Sequence, residues 1–373
     1  MTDTVPLTAW SYHNPVRVVG AGLSTLAPQL PHGRRVLLVT SRGAAERGIA
    51  RQLEAALPGR TVALLDDVVP NPDLRYLDET AARLRGTEID LVIALGGGSV
   101  LDAGKVLALL LRRPEPDLLT QCFRNRRDVA WTERLPLVAI PTTAGTGAEV
   151  TPFATVWDHE RSAKHSLATP FAYPDLAVLD AALTLTLPPE HTLYPALDAL
   201  SHALESLWNR SATPVSRGLA LQALALAGRA LPEVLAQPGN LARRADMQHA
   251  SLLAGMAISQ TRTAVAHAIS YPLTLHHGVP HGLACSFTLP TLLRTNLDRI
   301  AHNPSERLLL EAVLAMLDTF GLGQRLLQYL QRDDVRRLHG EMFTAERSNN
   351  YNGVPFADVA EIIDSALAQT GKD

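Results

Sequence analysis

The chain has 373 residues, 46% hydrophobic and 19% charged, enough for two domains at roughly 100–200 residues each. Its 34 basic and 37 acidic side chains leave a net charge of −3, which argues against a nucleic-acid partner, and its two cysteines are too few for a disulfide framework. The longest aliphatic run, Val106 to Leu111, is far short of the ~20 residues of a membrane span, and no secretory signal is visible, so a cytoplasmic protein without a membrane partner is expected.

In chain order, RRVLLVTS (Arg34–Ser41) reads as a buried strand, and AAERGIARQLEAAL after it has a helical pattern. TVALLDDV (Thr61–Val68) is a second strand, closed by the turn PNPD, and a helical stretch leads to DLVIALGGGS, a strand ending in glycines. LPLVAIP follows, then ATVWD, KHSLATP and DLAVLD, which read as short strands or a hairpin. Apolar strands separated by helices predict a parallel sheet covered on both faces. From about Leu185 the strand signals fade into Ala- and Leu-rich helical stretches, with Pro188–Pro189 as the boundary. The expected fold is an α/β nucleotide-binding domain over residues 1–185 and an all-α domain over residues 186–373.

The turn Gly96-Gly97-Gly98-Ser99 opens a predicted helix that carries Asp102, so a phosphate could meet backbone N–H groups at the helix N-terminus. A tight turn without a ligand would use the same glycines. The turn is not a P-loop: five residues separate Gly98 from Gly104, and Val106 stands where a magnesium-binding Ser or Thr belongs. This disfavours phosphoryl transfer. A second polar turn, Pro141 to Gly147, carries the hydroxyls of Thr142, Thr143 and Thr146, which suit either a ribose or diphosphate contact or a self-capped turn. Ligands of open α/β sheets sit outside the carboxyl ends of the strands, where both turns are expected.

Thirteen histidines are the compositional excess. Asp198 and His202 are spaced i, i+4 on a predicted helix, where two side chains can share a metal. His267 lies in a later helical stretch, and Gly278-Val279-Pro280 breaks the chain before His281. Three imidazoles and a carboxylate would make an N3O site for Fe2+ or Zn2+. The bland alternatives are satisfied core histidines, with Asp198 capping or pairing with Arg210. Glu205 reads as a partly exposed helix residue rather than a ligand, and His276 and His277 as the polar end of a helix.

Taken in order, GGGSVLDAGK, PTTAGTGAEVT, LDALSHALES, HAISYPLTLHHGVPHG and SNNYNGVPFADVAEII resemble the iron-containing (group III) alcohol dehydrogenase family of the dehydroquinate synthase-like superfamily. The resemblance implies an NAD(P)-binding α/β domain, a helical domain, and a metal between them on Asp198, His202, His267 and His281. It implies cofactor contacts from Gly97, Gly98, Ser99, Asp102, Thr142, Thr143 and Thr146, and a homodimer or higher homo-oligomer. Gly104 and Ala148 replace a usual alanine and serine. Where the family commonly has a second histidine after His267 stands Tyr271, leaving the proton relay to Tyr271, a water or the nicotinamide ribose. Where members preferring NAD often have an acidic residue stands Ser41, and Arg42 beside it could pair with a 2′-phosphate, so NADPH is expected ahead of NADH. Otherwise Arg42 merely caps the sheet edge.

The segment around His267 and His281 resembles the phosphonoacetaldehyde reductase branch, which implies reduction of that aldehyde to 2-hydroxyethylphosphonate in phosphonate natural-product biosynthesis. Such a dianion needs cations. Arg262, Lys164 with His165, and His277 are the candidates, against plain surface roles for each. Other small aldehydes or alcohols, of the lactaldehyde/propanediol type, and a dehydroquinate synthase-like lyase are the rival readings.

Overall fold

The computed structural model describes residues 9–342, 349–355 and 359–368. Its strands are β1 (Arg17–Gly20), β2 (Arg35–Val39), β3 (Thr61–Leu65), β4 (Leu91–Gly96), β5 (Leu137–Pro141), β6 (Phe153–Asp158), β7 (Ala163–Ala168) and β8 (Leu176–Leu179). Six form one parallel sheet in the order β1-β8-β5-β4-β2-β3, and β6 pairs with β7 as a separate antiparallel ribbon. Side chains alternate across the sheet: Leu37, Val92 and Ala139 enter one core, while Leu38, Ile93 and Val138 enter the other. Burial on both faces explains the near-continuous apolar runs. Strand β1 escaped the sequence reading because it is a short edge strand, only partly buried, without such a run. The helical pattern after β2 divides at Gly48, whose φ of +77° separates α1 (Arg42–Glu46) from α2 (Ile49–Ala55). Helices α3 (Leu74–Leu84) and α4 (Gly98–Leu110) complete this half.

The second half is helical. It includes α5 (Pro189–Leu207), α6 (Pro214–Ala236), α7 (Leu241–Thr261), α8 (Val265–His277) and α9 (His281–Ala284), with further helices to Ala368 around one apolar core. Helix α6 is long and apolar enough to cross a membrane, but it packs between α5 and α7, and its Arg217 pairs with Glu306. Two glycines let other segments close onto α5. A Cβ on Gly282 would lie 1.8 Å from the Tyr194 carbonyl oxygen, and one on Gly145 would lie 2.5 Å from Pro195. The first contact seats α9, and with it His281, against the helix that carries Asp198.

Candidate active site

Asp198 and His202 sit one turn apart on α5, His267 in the first turn of α8, and His281 at the first position of α9. Their side chains converge. Asp198 Oδ1 lies 3.4 Å from His202 Nε2, 3.3 Å from His267 Nε2 and 3.7 Å from His281 Nε2. The His202 and His267 rings stack at 4.9 Å, and the His281 ring meets His267 edge-on at 5.3 Å. Burial alone would push the Asp198 carboxyl up, but the three imidazoles outweigh it and hold the group well below the usual carboxylate range. Burial also keeps His202 and His281 below the ordinary histidine value, and nearby Lys164 adds to this at His281. Three imidazole Nε2 atoms thus crowd one buried carboxylate oxygen at 3.3–3.7 Å. A cation among them turns that crowding into coordination, so the donor set fits one divalent metal.

Two residues the sequence reading passed over belong to this cluster. Glu205 is fully buried rather than partly exposed. One oxygen accepts the N–H groups of Ala266 and His267 at 2.6 and 3.2 Å; the other takes the N–H of Ala264 at 2.9 Å and faces His267 Nδ1 at 2.7 Å. It caps the start of α8 from another helix and fixes the His267 ring. The signal was present in the sequence, since Glu205 follows His202 at i+3 on the same helix face. Cys285 donates its thiol to Asp198 Oδ1 at 3.4 Å, and the ligand atoms of Asp198, His267, His281 and Cys285 lie within 4.8 Å of one another.

The sheet order places β3 and β4 on opposite sides of β2, so the crevice between the carboxyl ends of β2 and β4 is a topological switch point. Ser41, Arg42, Gly97, Gly98 and Ser99 flank it. Ser41 caps α1 through Ala44 N at 3.4 Å, and exposed Arg42 is the first residue of that helix. Gly97 caps α4 without a side-chain bond, which leaves helix N–H groups for an anion. The two polar turns touch: a Cβ on Gly98 would lie 2.6 Å from Thr146 Cγ2, and one on Gly97 would lie 3.5 Å from Thr143 Oγ1. Thr142 instead turns inward and is buried. Asp102 accepts the Thr155 amide at 2.9 Å.

Between the two halves lies a cavity of about 340 Å³, lined by the donor set, Gly98, Ser99, Asp102 and Thr146, and by Lys164 and Arg262. Lys164 Nζ stands 5.5 Å from the centre of the Trp157 ring, and the Arg262 guanidinium stands 5.7 Å from that of Phe153. Arg262 is not a helix residue. It ends α7 at φ +61°, ψ 179°, a conformation that costs a residue with a side chain about 1–3 kcal/mol. Its carbonyl accepts Asn209 Nδ2 at 3.3 Å and Thr261 Oγ1 at 3.0 Å.

Three sequence expectations fail on geometry. His165 points to the opposite face of the ribbon and stacks on Phe123 at 4.6 Å, because neighbouring strand residues face opposite ways. His277 ends α8 near Asp334 and does not line the cavity, so it is not placed to bind substrate. Tyr271 does not line the cavity either, so a relay through its hydroxyl loses support. The hydroxyl accepts the backbone amide of Lys164 at 2.7 Å.

The chain matches the iron-containing alcohol dehydrogenase family over residues 17–181 and the C-terminal region of the same family over residues 192–372. It is 35% identical to the probable alcohol dehydrogenase EutG of Escherichia coli over 75% of this chain and 72% of that one. It is 37% identical to the phosphonoacetaldehyde reductase of Streptomyces viridochromogenes over 79% of this chain and 75% of that one. The sulfoacetaldehyde reductase of Bifidobacterium kashiwanohense, solved in complex with NAD+, superimposes with a TM-score of 0.85 at 27% identity, covering 98% of this chain and 100% of that one. A parallel-sheet nucleotide fold, an N3O donor set in the cleft and these matches together make the chain a member of the iron-containing alcohol dehydrogenase family, a metal-containing, nicotinamide-dependent oxidoreductase.

Proposed function

We propose that the chain reduces a short aldehyde bearing an anionic group, phosphonoacetaldehyde best of all, to its alcohol, with NADPH preferred over NADH. The observation that carries this reading is the presence of Lys164 and Arg262 in the same cavity as the metal donor set. Two cations suit a phosphonate dianion better than a sulfonate monoanion or an uncharged chain. Similarity to the Streptomyces viridochromogenes reductase supports the same substrate.

Asp198, His202, His267 and His281 would hold one Fe2+ or Zn2+, which when bound would supply a Lewis acid for the aldehyde oxygen, with a bound nicotinamide as the hydride source. The chain's own contribution is placement. The N-terminus of α4 at Gly97–Ser99 receives the cofactor diphosphate, and Thr146 flanks it. Lys164 and Arg262 hold the anionic end so that the carbonyl faces the donor set. Ser41 and Arg42, with no carboxylate at either position, favour a 2′-phosphate.

Metal-reconstituted protein tested with phosphonoacetaldehyde, sulfoacetaldehyde, lactaldehyde and propanal, each with NADH and NADPH, decides the matter. The expected order of kcat/KM has phosphonoacetaldehyde first. Propanal in first place would overturn the substrate reading, and turnover without oxidation of either dinucleotide would favour a lyase.

A further inference from the structure

The β6–β7 ribbon forms one wall of the cavity and is held from two sides. Phe153, Thr155 and Trp157 of β6, with Lys164, Ser166 and Ala168 of β7, share one face and line the cavity. A two-stranded ribbon is marginal alone and takes its position from what grips its edges. The β6 edge is tied to the α/β half. Thr155 N donates to Asp102 at 2.9 Å, Trp157 N to the Pro72 carbonyl at 3.0 Å, and buried Lys105 Nζ to the Phe153 carbonyl at 2.6 Å.

Thr155 pairs with Ser166 and Trp157 with Lys164. Since the β6 amides of these pairs point out of the ribbon, those of Lys164 and Ser166 point out on the opposite edge, toward the helical half. There Lys164 N donates to Tyr271 Oη at 2.7 Å. Tyr271 lies one turn after His267 on α8. One phenol therefore ties the helix that supplies a metal donor to the strand residue that supplies a cation.

We infer that Tyr271 is a positioning residue that sets the distance between the metal donor set and the Lys164 ammonium, and so selects aldehydes by the spacing of anionic group and carbonyl. This rests on the anionic-substrate reading given above. With the latch in place, the ribbon holds Lys164 at one spacing from the donor set. With it removed, the ribbon edge loosens and Lys164 loses its register against the metal.

The test is Tyr271→Phe, which keeps the ring and removes the acceptor, measured by hydrogen exchange and by kinetics on metal-loaded enzyme. Amides of the β7 segment should exchange at least about five-fold faster. KM for phosphonoacetaldehyde should rise about ten-fold while its kcat holds, and discrimination against the one-carbon-longer phosphonoaldehyde should shrink. Adding Lys164→Ala to Tyr271→Phe should cost less than Lys164→Ala costs alone, because the two act as one unit.

Unchanged exchange in β7 would overturn the latch. So would a fall in kcat for every aldehyde with an altered pH profile, which would mark Tyr271 as a proton-transfer group. The substrate reading is tested separately by Lys164→Ala: wild-type KM for phosphonoacetaldehyde in that variant overturns it, and with it the selectivity claim. The exchange result still decides whether the tether exists.

Discussion

Glu205 Oε2 lies 2.7 Å from His267 Nδ1 and 2.9 Å from the amide nitrogen of Ala264, so one buried carboxylate both orients a metal donor and caps the helix that carries it. An outer carboxylate of this kind fixes the tautomer and leaves Nε2 of the histidine toward the metal.

Glu205→Gln keeps the size of the side chain but loses the charge that satisfies these N–H groups. Metal affinity should fall about 10- to 100-fold, with a lower thermal midpoint in the metal-stripped protein as well. Chelator-competition titration with metal analysis checks the first effect, and thermal unfolding in excess chelator checks the second. Wild-type metal affinity in this variant would show that Glu205 does not support the metal donor.

A second buried carboxylate gives a pH signature away from the metal. Glu149 lies fully inside the α/β half, and burial pushes its carboxyl up to about 7, with Lys105 pulling the other way. A carboxyl raised on folding contributes stability that is full below its unfolded value and is lost as pH rises through about 7. The loss should approach about 3 kcal/mol by pH 8, since a tenfold difference in proton affinity between folded and unfolded chain is worth ~1.4 kcal/mol. Glu149→Gln cannot ionise and should flatten this part of the curve. Thermal midpoints of both proteins between pH 5 and 8 make the comparison; parallel curves would contradict it.

At the cofactor end, Arg42→Ala should lower kcat/KM with NADPH about ten-fold and leave NADH within about two-fold, because only the phosphorylated ribose offers the guanidinium a partner. Steady-state kinetics with each dinucleotide at fixed aldehyde check it. Equal losses with both would assign Arg42 to the end of the sheet.

Much of this architecture was legible in the sequence, and the rest hid for physical reasons. Parallel strands buried on both faces write themselves as apolar runs, so β2, β4 and β5 were plain, whereas partly exposed β1 was not. Helical periodicity put Asp198 and His202 on one face. It could not show that Glu205 points at another helix, because that contact spans 62 residues. Lys164 was separable from His165 only once the strand faces were known. The backbone of Arg262 was invisible, since nothing in a sequence marks a left-handed conformation at an arginine. Tyr271 was noticed as a missing histidine, but its partner lies 107 residues away on the far wall of the cleft.

The strained backbone at Arg262 gives the most direct test of the substrate claim. Glycine adopts φ +61° without cost, so Arg262→Gly removes the guanidinium and keeps the chain path. The quantity to measure is kcat/KM for phosphonoacetaldehyde divided by that for propanal, in wild type and in this variant. The expected ratio is well above one in wild type and falls about 10- to 100-fold in Arg262→Gly, with an unchanged or higher thermal midpoint as the strain is released. A ratio that is the same in both proteins would contradict the claim.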